Sequence, residues 1–64
     1  MDKVKDLMFI LGLLEKAEDD SIYQKNCVLS NIGHFFTVHH DAEINATLLT
    51  LFEDKFNLKP KIKA

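Results

Sequence analysis

The 64-residue chain contains no Arg and no Trp, a single Cys, a single Pro and two Gly. One cysteine, Cys27, forbids a disulfide within the chain. That excludes a disulfide-built secreted scaffold and fits a reducing compartment. A closely spaced set of four Cys and His ligands for structural zinc is missing too. Without Arg the usual bidentate reader of phosphate and guanine is missing. Two separated glycines cannot build a phosphate-cradling loop. The longest apolar run, Leu7 to Leu14, is eight residues, well short of the ~20 that a membrane-spanning helix needs. Lys3 and Lys5 precede that run, but Glu15-Lys16-Ala17-Glu18 is not a small-residue cleavage site for a signal peptide. The expected location is cytoplasmic, with no membrane partner.

What is present suits a small folded protein. Apolar types make up 47% and charged types 28%, an ordinary globular balance. The length allows one domain, expected over residues 1–58, followed by a basic tail over 59–64. A domain this small is marginal alone. With disulfide and zinc excluded, close helix packing or self-association must supply the stability.

Charge is uneven along the chain. The net value is −2, yet residues 1–20 carry −3, residues 21–54 another −3, and the last ten +4. A basic tail of this kind contacts its own acidic body, an acidic partner or phosphates. Lys59, Lys61 and Lys63 are therefore the candidate polyanion contacts.

Apolar residues recur at helical spacing, and breakers are few. The expected fold is all-α: a helical hairpin plus a third helix, packed as a symmetric helical dimer. The first helix is predicted from about Asp2, its N-cap, to Glu18. Val4, Leu7, Leu11 and Leu14 define its core face, with Met8, Ile10 and Ala17 at the margins. Phe9 and Leu13 project from the other side. The acidic stretch Glu15, Glu18, Asp19 and Asp20 opposes the helix dipole and should end the helix there. Ser21 opens the second helix in a capping box with Gln24. Its core stripe is Ile22, Val28, Leu29, Ile32, Phe35 and Phe36. Gly33, inside that stripe, predicts the close approach of another helix. Asp41 caps a third helix ending near Phe56, with Ile44, Leu48, Leu51, Phe52 and Phe56 inward and Leu49 at the edge. Glu43, Thr47, Thr50 and Asp54 face outward. The run from His34 to His40 is β-prone, but a lone strand has no partner, so helix is preferred.

The titratable residues support little chemistry. His34, His39, His40 and Asp41 cluster near Cys27, but the spacings do not put ligands on one helical face. His39 and His40 are read instead as favourable residues at a helix C-terminus. Cys27 lacks a base at helical distance, which a nucleophile needs. No catalytic residue, cofactor or metal is expected, and the chain is read as non-enzymatic. The apolar residues outside the core faces, Phe9, Leu13, Tyr23, Cys27 and Val38, form the candidate interface. The expected function is that of a small regulatory or adaptor protein of phage or plasmid type. It would act by protein–protein docking through an apolar helical face and self-associate as a homodimer. The alternative is a DNA-associated regulator, using the second and third helices as a helix-turn-helix with the Lys tail. The acidic third helix disfavours nucleic acid, since affinity comes largely from phosphate neutralisation.

Overall fold

The computed structural model describes residues 2–58, and the tail carrying Lys59, Lys61 and Lys63 lies outside them. Three helices follow in order: α1 (Lys3–Lys16), α2 (Ile22–His39) and α3 (Ala42–Lys55). Among the described residues there is no strand. The β-prone run at the end of α2 is helical. No described helix is long and apolar enough to cross a membrane.

Each helix begins where a short polar side chain can satisfy free backbone donors. The Asp2 carboxylate accepts from the N–H groups of Val4 and Lys5. The Ser21 hydroxyl accepts from Gln24 N–H, and the Asp41 carboxylate from Ile44 N–H. The capping box at Ser21 is only half formed. Gln24 Oε1 accepts instead from Glu18 N–H at 2.6 Å. The amide side chain thus ties the connecting loop to the start of α2 rather than closing on its own cap.

Two of the three C-termini, those of α2 and α3, use a feature the sequence does not announce. α2 closes on His40 in the left-handed conformation, φ 53°, with His40 N–H donating to the Phe36 carbonyl. α3 closes with Asn57 at φ 59° and Leu58 N–H donating to the Glu53 carbonyl at 2.8 Å. The latter is a Schellman closure with Asn in the left-handed position.

The core takes three residues from each helix and its cap: Ile10, Leu14 and Ala17; Val28, Ile32 and Phe35; Leu48, Phe52 and Phe56. Leu7, Leu13, Ile44 and Leu49 pack against its edge. α2 lies against both neighbours, whereas α1 and α3 meet less extensively.

The buried face of α1 is turned from the predicted one. Leu7, Ile10, Leu14 and Ala17 face inward, and Val4 and Leu11 are exposed. α1 is apolar around much of its circumference, so more than one stripe could face inward. The one that does also carries Lys3 and Asp6, which reach Asp41 at 3.0 Å and His39 at 2.8 Å.

On α2, Val28, Ile32 and Phe35 are buried, but the predicted core residues Ile22, Leu29 and Phe36 are exposed. Three helices supply too few neighbours to cover both stripes. Leu51 of α3 is likewise exposed, beside the looser contact with α1. The close approach expected at Gly33 is not made within the chain: a methyl group added there would meet nothing within 4 Å.

Candidate functional site

Four of the five sequence-derived interface residues, Phe9, Leu13, Tyr23 and Cys27, lie along the seam between α1 and α2. Two depressions follow that seam. One, of about 270 Å³, is lined by Leu13, Lys16 and Ala17 of the first helix and its cap, and by Tyr23, Gln24, Cys27 and Val28 of α2. The other, of about 190 Å³, is lined by Asp6, Phe9, Ile10, Asn31, His34 and Phe35.

Phe9 is 59% exposed and Tyr23 82% exposed. Both are large rings held on helices, so presenting them costs little conformational freedom. Cys27 is exposed as well. Leu13 departs from its expected role: it is half-buried and packs against the core. It forms floor rather than free surface. Val38 is half-buried and lines neither depression. The seam thus reduces to two exposed rings, a thiol and an apolar floor.

Polar groups border the seam. Asp6 accepts from His39 Nε2, whose ring also lies 4.6 Å, centroid to centroid, from that of Phe35. His39 is therefore a packed and hydrogen-bonded residue, not merely a favourable charge at a helix end. No sequence signal links it to Asp6, 33 positions away. The ring of His40 sits edge-on to Phe36 at 6.0 Å. Asn31 Nδ2 donates to the Cys27 carbonyl at 2.8 Å and lies 3.7 Å from its sulfur. Asn31 thus stands beside Cys27 where a nucleophile would need a base. Among the described residues, no group of three or more His, Cys, Asp and Glu side chains is arranged to hold a metal ion.

The other end of the molecule is electrostatic. The Asp41 carboxyl is held below the ordinary carboxylate range. The main cause is the Ile44 N–H it accepts, followed by the Lys3 ammonium. This cap pins the start of α3 to the start of α1. The lysine side chain is about half exposed and the aspartate one-quarter, so the pair contributes little stability.

A wider, shallower trough of about 490 Å³ runs between α1 and α3, lined by Leu11, Leu14, Glu15, Leu51, Asp54 and Lys55. The outward side of α3, with Glu43, Thr47, Thr50 and Asp54, is exposed. Thr47 and Thr50 turn their hydroxyls back onto carbonyls of their own helix.

No family model, no curated protein and no solved structure matches this chain.

Proposed function

We propose that this protein is a small, non-enzymatic adaptor or regulator that docks an apolar segment of another protein on the α1–α2 seam. Its working unit is a homodimer. The observation that carries the docking reading is the paired exposure of Phe9 and Tyr23 beside two apolar-floored depressions. Aromatic side chains of this kind are the usual anchors of protein interfaces. A cytoplasmic setting would keep the exposed Cys27 thiol reduced.

The same geometry speaks against the DNA-associated alternative. In a helix-turn-helix, α3 would enter the major groove. Its outward face instead presents Glu43 and Asp54 beside two threonines whose hydroxyls are already engaged. Docking by apolar contact should survive added salt, whereas phosphate binding falls steeply with it.

The test is a photo-crosslinking amino acid at position 23, with adducts from the native host identified by mass spectrometry. A defined protein adduct is expected, lost in Phe9→Asp and absent when the probe sits at position 50. Adducts that persist in Phe9→Asp, or that match those from position 50, would refute the seam as a docking site. Retention on DNA that vanishes with salt would favour the alternative.

A further inference from the structure

The α1–α2 seam uses the side of α2 that carries Tyr23, Cys27, Asn31 and His34. A different side carries Ile22, Leu29 and Phe36 at successive seven-residue steps, and they are 70%, 44% and 39% exposed. Gly33 lies on that stripe between Leu29 and Phe36. Glycine in an exposed helix interior is unfavourable relative to alanine. Nothing within the chain requires it here, since the space above it is open. Gly12 of α1 is open as well, but its helical neighbours include the charged Glu15 and Lys16.

We propose that this stripe of α2 binds a second copy of the chain, the two α2 helices crossing antiparallel about a two-fold axis at Gly33. The inference depends on the homodimer part of the proposed function and is independent of the docking seam. A missing side chain at the crossing point lets two helix backbones approach to the ~8 Å end of the usual interaxial range. A two-fold interface must also be self-complementary. Leu29, before the crossing, then meets Phe36 of the other copy, beyond it, and the contact is made twice.

The areas are consistent with this arrangement. Large side chains offer on the order of 150–250 Å² each, so at these exposures the three apolar residues present roughly 300 Å². A small specific interface takes about 600 Å² from each partner. The stripe thus supplies an apolar centre, and Asn26, Ser30, Thr37 and His40 supply a polar rim.

The experiment is light scattering of the full chain over a concentration series, on wild type, Gly33→Glu, Gly12→Glu and Phe9→Asp. Circular dichroism would confirm that each variant is helical. Glutamate is a better helix former than glycine, and both glycine sites are open, so neither glutamate variant should fail to fold. A wild-type dimer is expected, unchanged in Gly12→Glu and Phe9→Asp. In Gly33→Glu its dissociation constant should rise at least about tenfold, as for a central interface residue. A second measurement uses Gly33→Cys in a Cys27→Ser background. Mild oxidation should yield a covalent dimer, because the axis sets residue 33 beside its own copy within disulfide reach. The same experiment with Gly12→Cys should not. A wild-type chain that stays monomeric throughout would overturn the inference together with the homodimer reading. A dimer that Phe9→Asp disperses and Gly33→Glu leaves intact would overturn the inference alone and move self-association to the seam.

Discussion

His39, in the last turn of α2, and Asp6, in the first turns of α1, meet at 2.8 Å. With the carboxylate accepting, His39 Nε2 carries the hydrogen. The histidine side chain is nearly buried and the aspartate side chain one-third exposed. The pair sits at the rim of the core, on the arc of α1 that faces inward.

Removing the acceptor strands a nearly buried donor. Asp6→Ala should therefore lower stability by about 1–3 kcal/mol. Asp6→Asn, whose amide oxygen can still accept, should recover most of that loss. In a domain of this size each kcal/mol moves the melting temperature by about 4–8 °C, so thermal melts resolve the two variants. Equal melting of Asp6→Ala and wild type would show that the contact holds nothing in place.

The left-handed closure of α2 at His40 gives the opposite sign. A non-glycine residue in that conformation costs roughly 1–2 kcal/mol. His40→Gly should stabilise the protein by about 1 kcal/mol, less whatever the Phe36 ring contact contributes. Urea denaturation would measure it, and a destabilised variant would assign the larger effect to the ring contact.

Asp41 makes stability depend on pH at the acid end. Its carboxyl is held below the ordinary value of 3.8 by Ile44 N–H and then by Lys3. The stability gained from its charge is complete above that ordinary value. It is lost as pH falls through the lower folded-state value. Asp41→Asn keeps a good cap but not the charge. It should be less stable than wild type at neutral pH, and the gap should narrow as pH drops below 3.8. A gap that is the same at both ends of an acid titration would remove Asp41 from this role.

Two glycines allow a comparison of folding with assembly. Gly12→Ala and Gly33→Ala each fill open space and should each stabilise the monomer by about 1 kcal/mol. Only Gly33→Ala should weaken self-association. Chemical denaturation at low concentration and sedimentation at high concentration separate the two effects.

Three caps, Asp2, Ser21 and Asp41, were legible in the sequence because short polar side chains before an apolar-periodic run have few other uses. The helix limits followed, as did the inward face of α3, except Leu51, because its polar and apolar residues divide cleanly. The rotation of α1 was not legible. The arc that faces inward also carries Lys3 and Asp6, whose partners Asp41 and His39 lie more than thirty positions away. Nor was the choice between the two apolar stripes of α2, which turns on how many helices surround it rather than on its own pattern. The same holds for the site. Phe9 and Tyr23 read correctly as surface, whereas Leu13 read as surface and proved to be floor. The left-handed closure at His40 was not legible either: histidine is enriched in that conformation among non-glycine residues, but the conformation is still uncommon for it.

The position of α2 between its two neighbours has a kinetic consequence. Its packing partners are the helices adjacent in sequence, joined to it by short connections, while the pairing of α1 with α3 is the lesser one. Most native contacts therefore close small loops, and such a topology folds in microseconds to milliseconds. The chain passes little time with Phe35, Ile32 and Leu48 exposed together, which limits its chance to aggregate as it is made.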